Sequence, residues 1–131
     1  MIVGIGHDLT SLERMKRLLE GTAGARFQER ILTPLELKRA AEMSGLRLIE
    51  FTAGRFAAKE AVSKAFGCGI GRTLSFHDIE IGRDDCGKPL CRLADKAWER
   101  LRMSPTSTVI HVTITHDHSL ASAFVIVERM A

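Results

Sequence analysis

Apolar residues alternate in short runs at both ends of the chain and recur at helical spacing between them, which predicts a mixed α+β fold. Residues 1–7 are apolar and partly β-branched, ending at Asp8, and read as a strand whose Gly4 and Gly6 leave the backbone open to close approach. Thr10-Ser11-Leu12-Glu13 is a capping-box pattern. It opens a helix with Leu12, Met15 and Leu19 on one face and Arg14 and Arg17 on another. Thr33-Pro34-Leu35-Glu36 is a stronger start, combining an N-cap, Pro at the first helical position and a returning carboxylate, for a helix reaching Met43. After a break at Ser44-Gly45, residues 46–66 read as a longer helix, Ala-rich in its second half and ended by Gly67. Residues 75–81 alternate as a strand, 84–89 read as a turn, and 90–93 return as its partner. A short helix over 95–103 precedes two apolar runs, 109–116 and 120–127, which Asp117-His118-Ser119 would join as a hairpin.

Composition narrows the class. A chain of 131 residues with 45% hydrophobic content suits a single domain over 1–131 and excludes a disordered or disulfide-stapled scaffold. Cys68, Cys86 and Cys91 are odd in number and lack C-x-x-C spacing, so reduced thiols and a cytoplasmic location are expected. No apolar run approaches the ~20 residues of a membrane span, and the N-terminal residues lack a signal-peptide pattern, so no membrane association is expected. The net charge of +3 favours anionic partners. An aromatic content of 5% without tyrosine argues against a nucleic-acid partner, because single strands are held by stacking as well as charge.

Three places carry candidate chemistry. Glu60, Ser63 and Lys64 stand at i, i+3 and i+4, which puts a carboxylate, a hydroxyl and an ammonium on one helix face; the same spacing also describes an ordinary exposed Glu-Lys pair. Gly67-Cys68-Gly69-Ile70-Gly71 is either a helix stop or a turn offering backbone N–H groups to phosphate, against the unfavourable end of the helix dipole. Asp8 either serves the N-terminus of the first helix or binds a hard cation such as Mg²⁺, with Glu60 as second ligand. Zinc is disfavoured, since the five histidines and three cysteines form no recognised ligand spacing. Alternation places Val112, Ile114 and His116 on one strand face, with His116 at its mouth.

Three motifs, in order, resemble the holo-[acyl-carrier-protein] synthases of the 4′-phosphopantetheinyl transferase family. They are GIGHDLTSLERM, GRFAAKEAVSKAFGCGIG and HVTITHDHSLASAFVIVE, and SFHDIEIGRDDCGKPL is similar to the family's middle hairpin. The resemblance implies an antiparallel sheet packed with a long helix, assembled as a homotrimer with the active site between subunits. It implies that a serine of apo acyl carrier protein attacks the β-phosphate of coenzyme A, taking up phosphopantetheine and releasing 3′,5′-ADP, as required in fatty acid biosynthesis. Asp8 and Glu60 would hold Mg²⁺, and Lys64 would stabilise the same phosphates. Arg55, Ser63, Gly67, Gly69, Gly71 and His116 would contact the coenzyme, and Arg14 and Arg17 the acidic carrier protein. The proton acceptor is left open between Glu60, a metal-associated water and the His116-Asp117 pair. His7, Phe56 and Asp117 depart from common family residues; Asp117 would add a third carboxylate or orient His116. The alternative is a non-catalytic module that binds coenzyme A or the carrier on the same scaffold.

Overall fold

The long helix foreseen in the middle of the chain is the axis of the molecule. The computed structural model describes residues 1–131, in the order β1 (Ile2–Ser11), α1 (Leu12–Glu20), α2 (Gly24–Ile31), α3 (Pro34–Ala40), α4 (Gly45–Ala65), β2 (Ile79–Arg83), β3 (Pro89–Leu93), α5 (Asp95–Leu101), β4 (Thr108–His116) and β5 (Leu120–Arg129). An antiparallel sheet in the order β1-β5-β4 covers one side of α4, and the β2-β3 hairpin forms a second sheet. No helix is long and apolar enough to cross a membrane.

Small residues set the distance between α4 and the sheet. Ala57, Ala58, Ala61, Val62 and Ala65 pack in one core cluster with Val112, Ala123, Val125 and Val127. Where α4 crosses β1 the approach is closer still: a Cβ on Gly4 would lie 1.7 Å from the Ala65 carbonyl oxygen, and one on Gly6 would lie 1.8 Å from that of Ala61. The open backbone expected at Gly4 and Gly6 is therefore occupied by a helix. Because strand side chains alternate, Asp8 and Thr10 share the inward face of Gly4 and Gly6 and are aimed at α4.

Several boundaries differ from the sequence reading. β1 pairs with β5 from Ile2↔Glu128 to Ser11↔Leu120, so Asp8 stands inside the strand opposite Ala123 and not at its end. Continuous pairing overrides the local helix-start signal by one residue. Ser11, not Thr10, caps α1 by accepting from the Arg14 N–H at 3.1 Å, while the Thr10 hydroxyl donates to Asp8 Oδ2 at 3.2 Å. Helix α2 was not anticipated, because Ala23 provides no side-chain cap to announce it. Helix α3 ends at Ala40, short of Met43. The predicted strand over 75–81 begins at Ile79, since the Asp78 carboxylate accepts from the Ser75 N–H and hydroxyl and closes a 3₁₀ turn first.

Candidate functional site

Asp8, Glu60 and Lys64 meet where β1 crosses the C-terminal half of α4. Lys64 Nζ donates to Asp8 Oδ1 at 3.0 Å and to the His7 carbonyl at 3.1 Å. Glu60, one turn earlier on α4, is half-buried. Its pKa is raised, first by burial and then by the negative charge of Asp8, with Lys64 opposing. Two carboxylates that repel one another, with a single ammonium paired to Asp8, form a site short of positive charge. No three His, Cys, Asp or Glu side chains gather as a complete metal cage. A pair of carboxylates nonetheless suits Mg²⁺, which keeps waters and takes substrate phosphates for its remaining positions.

Ser63 is a correction to the sequence reading. Its residue is fully buried and its hydroxyl donates to the Glu60 carbonyl at 2.7 Å, so it is not a donor toward a coenzyme. The i+3 position has turned it to the core side of the face that Glu60 and Lys64 present. The glycine turn is corrected in the same way. The N–H groups of Gly67, Cys68 and Gly69 donate to carbonyls of Lys64 and Ser63, and that of Gly71 donates to Leu74. Gly67 and Gly69 have φ of +77° and +67° and act as the helix stop; the N–H groups of Gly67, Cys68, Gly69 and Gly71 are already engaged, so the three glycines offer no phosphate cradle.

A second locus lies on the other half of α4. A cleft of about 580 Å³ is lined by Arg39, Arg47, Arg55 and Arg83 together with Glu50 and His116. Arg55 is 2% exposed and its guanidinium lies 4.2 Å from the Phe51 ring centroid. Its Nε and Nη2 have no hydrogen-bond partner. Burial, then the charges of Arg83 and Arg39, lower its pKa to about 10, against the weaker pull of Glu36. Orphaned buried donors beside like charges call for an anion, and a phosphate would satisfy both deficits. The sequence reading found Arg55 and His116 here but missed Arg39, Arg47, Arg83 and Glu50. Arg47 and Glu50 were legible, since 47, 50, 51, 54 and 55 repeat at helical spacing; Arg39 and Arg83 arrive from α3 and β2, and no local spacing marks them.

Asp117 is neither a third carboxylate nor a holder of His116. Its Oδ1 accepts from the backbone N–H of Ser119 at 2.8 Å and of Leu120 at 2.9 Å, bonds that lower its pKa and pin the β4-β5 turn. The carboxylate facing His116 is Glu50, with Oε2 3.2 Å from Nδ1. On α1, Arg14 borders an apolar-floored cleft of about 510 Å³ with Met15, Leu18, Phe27, Arg30 and Phe56. Arg17 does not line it; its Nη1 is 3.2 Å from Glu13 Oε1 in an exposed pair one turn apart.

Residues 4–123 match the model of the 4′-phosphopantetheinyl transferase superfamily. A holo-[acyl-carrier-protein] synthase of Bacillus velezensis is 47% identical over 133 residues, spanning 100% of this chain and 99% of the relative. That of Bacillus subtilis (strain 168) is 49% identical over 135 residues, with the same coverage. Among solved structures, a holo-(acyl-carrier-protein) synthase from Bacillus anthracis in complex with CoA (3′,5′-ADP) is similar, with a TM-score of 0.83 and 43% identity over 100% of this chain and 99% of that one.

Proposed function

The chain belongs to the 4′-phosphopantetheinyl transferase superfamily, and from that membership we propose that its reaction runs through the Asp8, Glu60 and Lys64 cluster. The enzyme transfers the 4′-phosphopantetheine arm of coenzyme A to a serine of apo acyl carrier protein, releasing 3′,5′-ADP. The observation that carries the site assignment is the carboxylate pair facing one lysine where β1 crosses α4. Asp8 and Glu60 would hold Mg²⁺, which when bound neutralises charge building on the diphosphate. Lys64 turns its ammonium from Asp8 to the phosphate oxygens and stabilises the leaving 3′,5′-ADP. Glu60, whose burial strengthens it as a base, takes the serine proton as the new O–P bond forms and the diphosphate bridge breaks.

The arginine cleft holds the nucleotide end of the coenzyme, with the orphaned Arg55 donors on a phosphate. Its lining includes none of Asp8, Glu60 or Lys64. A homotrimer in which one subunit's cleft faces its neighbour's carboxylates brings the two halves together. The outward face of the sheet supports such an assembly, since Ile5, Leu9 and Phe124 are 58%, 56% and 41% exposed on adjoining strands. Light scattering behind a sizing column should give three chain masses, and Leu9→Asp should shift the protein toward monomer with loss of turnover. A fully active monomer would defeat this assembly.

Carrier docking belongs to the cleft beside α1, where Arg14 and Arg30 flank an apolar floor. Arg14→Glu should raise KM for the carrier several-fold, the effect diminishing in high salt, with KM for coenzyme A unchanged. An equal rise in both would remove the docking role. The reaction itself is tested by incubating the protein with apo acyl carrier protein, coenzyme A and Mg²⁺ and weighing the carrier. A phosphopantetheine-sized mass gain is expected, and an unmodified carrier would refute the activity.

A further inference from the structure

Asp8 has two side-chain partners, one on each carboxylate oxygen, and they differ in how firmly they are held. Oδ1 accepts from Lys64 Nζ at 3.0 Å and Oδ2 from the Thr10 hydroxyl at 3.2 Å. The Lys64 ammonium sits on a flexible stem whose side chain is 51% exposed. Thr10 is 8% exposed, stands in register with the fully buried Ala121 of β5, and is β-branched, so its backbone and its χ1 are both restrained. Its hydroxyl is free for Asp8 because the first helix takes its cap elsewhere. Ser11 accepts the Arg14 N–H, β1 continues through Thr10, and strand alternation leaves Thr10 on the face of Asp8. A residue with the sequence signature of a helix cap is thus a hydrogen-bond donor to a carboxylate of the candidate site.

We infer that Thr10 is a positioning residue, which holds Asp8 by Oδ2 and keeps Oδ1 turned toward α4, where a divalent cation would meet it together with Glu60. The inference rests on the assignment of Asp8 and Glu60 to Mg²⁺ and deepens it. Lys64 marks the direction, since its ammonium is the cation that Oδ1 faces in the folded chain. When Lys64 turns that ammonium to the phosphates of coenzyme A, Asp8 loses one partner and Thr10 is its remaining side-chain tether. A carboxylate already held by one oxygen loses little rotational freedom when a cation meets the other, which is the gain from preorganisation. The hydroxyl achieves this without adding charge, whereas a basic side chain in its place would compete with the cation. Its effect on the reaction is therefore expected through cation affinity and not through coenzyme A binding.

Mn²⁺ binding, followed by the electron spin resonance of the free ion with coenzyme A present, tests this without turnover. The carrier protein is left out, because Thr10 also borders the cleft assigned to it. Thr10→Val keeps the branched shape and removes the hydroxyl. It should weaken Mn²⁺ binding roughly tenfold, as loss of a hydrogen-bond partner behind a metal ligand does, while Thr10→Ser should stay within about twofold of wild type. In the transfer assay the Mg²⁺ concentration giving half-maximal rate should rise by the same factor in Thr10→Val, with KM for coenzyme A within about twofold. Wild-type affinity for Mn²⁺ in Thr10→Val would overturn the inference. Thr10→Ser binding as weakly as Thr10→Val would overturn it too, by tracing the loss to altered packing of β1 and not to the hydroxyl. If the wild type itself bound no Mn²⁺, the assignment of Asp8 and Glu60 to a cation would fall and the inference with it; equal affinity in wild type and Thr10→Val removes the inference alone.

Discussion

Glu60→Gln is expected to reduce phosphopantetheine transfer by roughly a hundred- to ten-thousand-fold, the range found when a positioned acid or base is removed, while raising the melting temperature. The two effects have one cause. Burial and the Asp8 charge raise the Glu60 pKa, so the ionised carboxylate is less favoured in the folded chain than in the unfolded one. A carboxyl whose folded pKa lies above its unfolded value opposes folding at neutral pH, where both states are ionised, and the opposition fades as acid protonates it. An isosteric amide removes that penalty and also removes the charge proposed to hold a cation and to accept the serine proton. Asp8→Asn should lower turnover similarly, although it also abolishes the Lys64 ion pair and so gains less stability. Transfer activity and thermal unfolding measured on the same preparations check both halves. Turnover within tenfold of wild type in Glu60→Gln would remove the carboxylate pair from the chemistry, and lower stability with intact activity would reduce Glu60 to a structural residue.

The same stretch of α4 shows what a sequence reveals and what it withholds. Spacing and the resemblance both drew attention to Glu60 and Lys64, and Gly4 and Gly6 announced a close backbone approach to β1; together these place Asp8 beside Lys64. Such features are local, or depend on strand alternation, and can be read without knowing the fold. Ser63 looked equally available, because a helical spacing says which side chains are neighbours but not which flank the sheet covers. The glycine turn was ambiguous for a related reason: a Gly-rich segment after a helix either donates outward or folds back onto the helix's last carbonyls, and here it folds back. The arginine cleft draws Arg39, Arg55 and Arg83 from α3, α4 and β2, so its charge density exists only once the elements are packed. Helix α2 escaped notice because its N-terminus has no capping side chain, yet its Phe27 and Arg30 border the cleft assigned to the carrier. His116 was found, but its partner was misread as the adjacent Asp117, when the carboxylate that meets it is Glu50, 66 positions away across the β4-α4 contact.

Lys59→Met should destabilise the protein by about 3–5 kcal/mol, the usual result of breaking a buried ion pair from one side. Lys59 precedes Glu60 in the motif shared with the family, and its role is different. The residue is fully buried, and its Nζ donates to Glu36 Oε1 at 2.6 Å, the Ile31 carbonyl at 2.7 Å and the Phe76 carbonyl at 3.1 Å. Glu36 in turn accepts from the Thr33 N–H at 2.9 Å and, through Oε2, from the Ile81 N–H at 2.7 Å. One ammonium and one carboxylate therefore tie α2, α3, α4 and the start of the β2-β3 hairpin together. Burial lowers the Lys59 pKa despite the attraction of Glu36, and a buried ion pair is in general a weak net source of stability. Its removal is costly because of what stays behind: methionine fills much of the volume but leaves a buried carboxylate and two carbonyls without their donor. Because the network touches neither Asp8 nor Lys64, the variant's folded fraction at low temperature should keep near-normal kcat. Urea unfolding and initial rates at 10 °C distinguish the roles: a loss below about 1 kcal/mol would show the network to be dispensable, and a hundredfold lower kcat in fully folded protein would place Lys59 in the reaction itself.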